Sequence, residues 1–298
     1  MADLTRRTAM GGFAAAVLAG CGSGSRTTPS RPPSSSPSPT TSTPAAVANQ
    51  RLLSSGLTSA TGPTPGAAGT SLAVNPEVVV VGTAPDSTIQ QIARLAISYQ
   101  PTILEITGAT APTQSLLILA PATKATFDQW TGEKDNPAES GATVFPSPPA
   151  QPWMALKPDT DQRQLEVTLA HEMLHALTLT FASKRDQPTW LTEGFAQLVS
   201  ADVTQIVELA ATPPAAASLP TDAQFTAQPE RSYVLAFLFA TFLQQKRRDA
   251  VAAFYTPAVH GQPGDLDRLA HSVFGAAIPG LTQQWQAQYA AQVRTLRG

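Results

Sequence analysis

Glu77 to Val81 is mostly apolar and β-branched, bounded by Pro76 and Gly82, a pattern that predicts a buried strand. The period then changes. Ile89, Ile92, Leu95, Ala96 and Tyr99 recur at helical spacing behind a cap at Asp86 or Ser87. Residues 115–119 read as a second strand stopped by Pro121, and residues 142–145 and 153–157 as short extended runs between prolines. From Asp161 to the end the pattern is helical, with breaks expected at Pro213-Pro214, Pro220, Pro257, residues 261–264 and Pro279. Strands first and helices after predict an α+β fold: a small N-terminal mixed sheet with at least one helix, then a mainly helical half. Residues 233–243 are apolar nearly all round. A membrane span needs roughly 20 such residues, so this run is expected to be a core helix.

Ahead of residue 72 no core-forming period is visible. Arg6 and Arg7 precede an apolar stretch that ends in Leu18-Ala19-Gly20-Cys21. This ending resembles the bacterial lipoprotein processing site, in which the cysteine thiol is acylated and becomes the new N-terminus. The resemblance implies a signal peptide over residues 1–20, a lipid anchor on Cys21 and a location at the cell membrane on its extracytoplasmic side. Thr5-Arg6-Arg7-Thr8 is a partial twin-arginine signal without the expected large apolar follow-up, so Sec and Tat export both stay open. Residues 22–44 are Gly, Ser, Thr or Pro except Arg26 and Arg31, which predicts a disordered tether. Fully extended it would reach about 70 Å. Gly62-Pro63 and Pro65-Gly66 extend the expected linker over residues 21–71, with Leu52, Leu53 and Leu57 as a short docking helix. The folded domain is expected over residues 72–298.

Composition narrows the function classes. Lys and Arg number 19 against 21 Asp and Glu, a net charge of −2, which leaves no basic footprint for nucleic acid. Nor would charge draw the domain to an anionic membrane, so attachment would rest on Cys21. The single Cys excludes a disulfide framework and a thiolate metal cluster.

The candidate chemistry lies in His171-Glu172-Met173-Leu174-His175, an H-E-x-x-H sequence in a helical segment. A four-residue step puts His171 and His175 on one face, where both rings can reach one metal ion at about 2.0–2.1 Å. Glu172 lies about 100° around the helix, placed to act as general base on a metal-bound water without ligating the metal. Gln164, Thr168, His171, His175 and Thr178 form a polar stripe expected to face a cleft, while Leu165, Leu169, Met173, Leu174 and Leu177 face the core. Catalytic zinc needs a third protein ligand. Glu193, in Trp190-Leu191-Thr192-Glu193-Gly194-Phe195-Ala196, is the candidate, delivered by a second helix. Gly194 would allow close backbone packing and Trp190 would anchor the core.

These two segments resemble the thermolysin-like Glu-zincin metallopeptidases, in particular bacterial peptidase-MA-like domains. The resemblance is specific over residues 152–201 and general over the C-terminal helices. It implies a zinc peptidase with His171, His175 and Glu193 as Zn2+ ligands, Glu172 as general base and a peptide or protein substrate. Such sites often carry an acidic residue four positions after the Glu ligand, orienting a zinc-bound imidazole. Here that position is Gln197, whose carbonyl oxygen offers the same bond without charge and implies weaker metal affinity. Tyr233 is the candidate oxyanion donor, with core packing as the alternative. His260 and His271 are expected to be surface or packing residues. Residues 153–157, just before the metal helix, are expected to form the edge strand that pairs an extended substrate. Two rival classes stay open: a non-catalytic surface lipoprotein with a degenerate or structural metal site, and a zinc hydrolase acting on cell-wall peptides.

Overall fold

The computed structural model describes residues 42–58, 60–132, 140–157, 161–200, 217–262 and 264–297. The expected signal peptide, Cys21, the tether up to Thr41 and Pro213-Pro214 lie outside them. The architecture is α+β, with a five-stranded mixed sheet in the N-terminal half and a mostly helical C-terminal half. The strands are β1 (Ser71–Val74), β2 (Val78–Gly82), β3 (Leu116–Ala120), β4 (Gly141–Val144) and β5 (Trp153–Leu156), in spatial order β1-β2-β3-β5-β4. β2, β3 and β5 run parallel, and β1 and β4 pair antiparallel at the two ends.

The unbroken apolar runs of β2 and β3 follow from burial on both faces. Side chains alternate across a strand, so Val78 and Val80 join one core while Val79 and Val81 join another. Leu116 and Ile118 divide from Leu117 and Leu119 in the same way, and Met154 and Leu156 from Trp153 and Ala155. The larger core lies between the sheet, helix α2 (Asp86–Thr107) and the C-terminal helices. The smaller one is closed by α1 (Pro44–Ser54) and α3 (Lys124–Thr131).

Here the structure corrects the expected linker. The fold includes α1, capped by the Thr43 hydroxyl accepting from Ala46 N, and buries Ala48, Leu52 and Leu57 against the sheet. It therefore begins well before residue 72, and only Leu53 of the three leucines stays exposed. Arg51 fastens α1 in place. Its guanidinium is buried and donates to the carbonyls of Ser115 and Pro152 and to the hydroxyls of Ser54 and Ser55. Burial pulls its pKa down to about 10, so it stays charged at neutral pH. The carbonyls it meets lie just ahead of β3 and β5.

The helical half contains α4 (Gln162–Thr178), α5 (Phe181–Asp186), α6 (Thr189–Ser200), α7 (Asp222–Ala227), α8 (Pro229–Lys246), α9 (Arg248–His260), α10 (Leu266–Phe274) and α11 (Ile278–Arg297). α4 starts where Asp161 Oδ1 accepts from Gln164 N, which caps the helix. α8 contains the apolar run 233–243, buried from Val234 to Leu243, and no described helix is long and apolar enough to cross a membrane. Pro257 does not break its helix. The buried face of α9 continues from Phe254 and Tyr255 to Ala258 and Val259, and packing carries the chain through the missing N–H. Pro101 sits inside α2 for the same reason, ahead of buried Ile103 and Thr107.

Removing the Arg51 side chain takes a donor from the half-buried carbonyls of Ser115 and Pro152. Arg51→Ala is expected to lower unfolding free energy by about 2–3 kcal/mol, measured by denaturant titration of residues 42–298. Deleting residues 42–71 is expected to expose the α1 face of the sheet and make the protein aggregate, seen by size-exclusion chromatography.

Candidate metal centre

The histidines of α4 and the glutamate of α6 meet where expected. His171 Nε2 and His175 Nε2 stand 3.1 Å apart. Glu193 Oε2 lies 3.2 Å from the first and 3.3 Å from the second. Ligand atoms at about 2.0–2.1 Å from a tetrahedrally bound ion stand about 3.3–3.4 Å from one another. The observed triangle matches that spacing to within a few tenths of an ångström. Two imidazole nitrogens and one carboxylate oxygen are a donor set suited to a divalent metal ion, so the residues fit such an ion. Among the described residues no other group of three His, Cys, Asp or Glu side chains converges in this way.

Packing delivers Glu193 to this point. α6 lies against α8, and a Cβ on Gly194 would come 2.7 Å from the carbonyl oxygen of Ala236. The absence of a side chain at Gly194 thus sets how deep α6 sits. Trp190 meets Phe239 edge to face at 5.3 Å, and Phe195 lies 4.7 Å from the ring of Tyr255 on α9. Glu193 is only 4% exposed. Burial opposes its charge, but His175 and then His171 hold its carboxyl well below the usual carboxylate range.

Beneath the metal site, Thr178 donates to the carbonyl of Leu174 at 2.7 Å, which uses its one proton. Tyr255 O–H, 3.1 Å away, therefore donates to Thr178 Oγ1. Burial pushes the Tyr255 pKa upward, against the Thr178 bond and with help from the Glu193 charge, so the hydroxyl keeps the proton this chain requires. The polar stripe of α4 thus divides. Gln164, Thr168 and His171 face a cleft, whereas His175 and Thr178 are buried.

That cleft has a volume of about 470 Å³ and runs from His171 along the first half of α4. Glu172 and Gln197 line it together with Tyr233 and Phe225, whose rings meet edge to face at 5.4 Å. Tyr233 is half-buried, its ring centre 6.5 Å from that of His171. Glu172 points its Oε2 at the Thr143 hydroxyl, 2.6 Å away. The Nδ1 atom of His175 is buried with no hydrogen-bond partner, so Gln197 does not orient that ring. His175 is held instead by packing, edge-on to His171 at 4.8 Å. His260 and His271 are exposed, on α9 and α10, and take no part in the metal centre. A second cavity of the same volume, lined by Glu105, Arg248 and Asp249 among others, shares no residue with the cleft.

The expected edge strand is corrected. β5 is flanked by β3 and β4, and among the described residues the sheet ends at β4. Lys157 N donates to Ser140 O, which makes that pair hydrogen-bonded and fixes the alternation along β4 and β5. Ala142 and Val144 therefore bond to β5, while the N–H and C=O of Gly141 and Thr143 point off the sheet. Sequence reasoning missed Thr143 and Gly141, because the edge position of β4 is a property of topology. A Cβ on Gly141 would come 2.6 Å from Thr168 Cγ2 and 3.2 Å from Glu172 Cγ, so this glycine lets the strand lie against α4.

Wild-type protein is expected to bind about one divalent ion per chain, and Glu193→Ala to lose it, by elemental analysis after dialysis. Gly194→Ala forces α6 off α8 and is expected to lower stability by about 1–3 kcal/mol, read as a drop in Tm. In comparisons with known proteins, no protein-family model matches the chain, and no curated protein matches it.

Proposed function

We propose that this protein is a zinc-dependent peptidase. The observation that carries the reading is the juxtaposition of the His171–His175–Glu193 triangle with a carboxylate, Glu172, that lies in the same cleft and outside the ligand set. His171, His175 and Glu193 would hold the ion. When bound, zinc supplies a Lewis acid for a peptide carbonyl and lowers the pKa of a coordinated water toward ~7.

The chain's own residues do the rest. Glu172 accepts the proton of the attacking water and carries it to the leaving amine. Tyr233, which lines the same cleft as Glu172, offers an O–H to the oxyanion that develops on the attacked carbonyl. The backbone groups of Gly141 and Thr143 that point off the sheet, with no strand beside them among the described residues, pair with an extended substrate, which binds it through its main chain. Apart from Glu172, the described side chains along this cleft that could carry charge are limited to His171, so recognition leans on shape and backbone.

The sequence around Cys21 supports an exported, lipid-anchored protein, held at the membrane on the extracytoplasmic side and cleaving peptide bonds there.

Glu172→Gln is expected to keep the metal and lose about 10²–10⁴-fold in kcat on unfolded protein substrates. Unchanged turnover in this variant would reject Glu172 as the base. Zinc binding without cleavage by the wild type would favour the non-catalytic rival, and cleavage confined to muropeptides the cell-wall one.

A further inference from the structure

Thr143 belongs to the edge strand, yet its side chain is turned to the metal helix. Its hydroxyl lies 2.6 Å from Glu172 Oε2 and 3.0 Å from the carbonyl oxygen of the same residue. A hydroxyl has one proton to give. The shorter contact is to the carboxylate, where the bond gains strength from the charge. One carboxylate oxygen of Glu172 is thereby tied to β4, and the other is left for proton transfer.

Two further features make this contact more than incidental. Gly141, two residues earlier on the same face, lets β4 press against Thr168 and Glu172, so the hydroxyl has little room to withdraw. The N–H and C=O of Thr143 also point off β4, the edge of the sheet among the described residues. One residue therefore presents its backbone to a chain lying along β4 and its side chain to the carboxylate of α4.

We propose that Thr143 is a positioning residue: its hydroxyl fixes the carboxylate of Glu172 in the orientation required of the base, and couples that orientation to pairing of substrate on β4. The inference rests on Glu172 serving as the base. It adds a residue that no sequence motif marks.

The test uses the zinc-loaded full chain with Thr143→Val, which keeps the shape and β-branching and removes the O–H, and Thr143→Ser, which restores it. Thr143→Ala is the second hydroxyl-free variant. Acetohydroxamate is the probe, because it chelates zinc and shares its proton with an adjacent carboxylate without turnover. Calorimetry is expected to show about tenfold weaker binding for Thr143→Val and Thr143→Ala. Thr143→Ser should stay within about threefold of wild type, and zinc stoichiometry should be equal in all. On a cleaved peptide, kcat should fall by a similar factor in the hydroxyl-free variants, with KM unchanged. If Glu172→Gln weakens hydroxamate binding but the hydroxyl-free variants match wild type, the positioning role is overturned and the peptidase reading stands. If Glu172→Gln leaves that binding unchanged, or the wild type takes up no zinc, the reading of the base fails and this inference falls with it.

Discussion

A carboxylate removed from water needs partners that compensate its charge, and Glu193 meets that need only when α6 lies against α4. Much of the helical half serves this one requirement. α8 presses α6 forward through the Gly194–Ala236 contact, and its Phe239 receives Trp190. α9 closes from behind with Tyr255, whose ring meets Phe195 and whose hydroxyl bonds to the last turn of α4. The pairing of two histidines with a glutamate is thus a tertiary contact between helices, sustained by apolar packing on both sides of a polar seam.

The sheet supplies the other half of the arrangement. α4 lies on the face lined by Met154 and Leu156 and reaches the edge at β4, where Thr143 and Gly141 meet Glu172 and Thr168. The triangle of His171, His175 and Glu193 therefore comes from the helical layers alone, while the carboxylate of Glu172 is held between helix and sheet. Under the proposed function, different parts of the fold would set metal affinity and proton transfer.

Several features were legible in the sequence because they depend on local periodicity. A four-residue step puts His171 and His175 on one side of any α-helix, and the helical pattern sets in at Asp161, where that helix starts. β2 and β3 were equally visible, since burial on both faces leaves them apolar throughout. What escaped depends on contacts between distant segments. β4 and β5 are both four residues long, and only the pairing of β3 with β5 decides which one is the edge. α3 shows just Phe127 and Trp130 as buried anchors, too few to establish a period. α1 carries a charged residue at the centre of its buried face, and a solitary arginine in a Pro- and Gly-bounded stretch looks like solvent-exposed linker until Ser115 and Pro152 are seen to receive it.

That arginine also ties the first described helix to the middle of the sheet. Any tension transmitted along the chain ahead of Thr43 enters through α1, whose bonds reach the starts of β3 and β5 in the centre of the sheet. The cleft belongs to the opposite face, beyond a layer of fully buried valines and leucines. The contacts that fasten α1 and the triangle of His171, His175 and Glu193 therefore lie on opposite faces of the sheet.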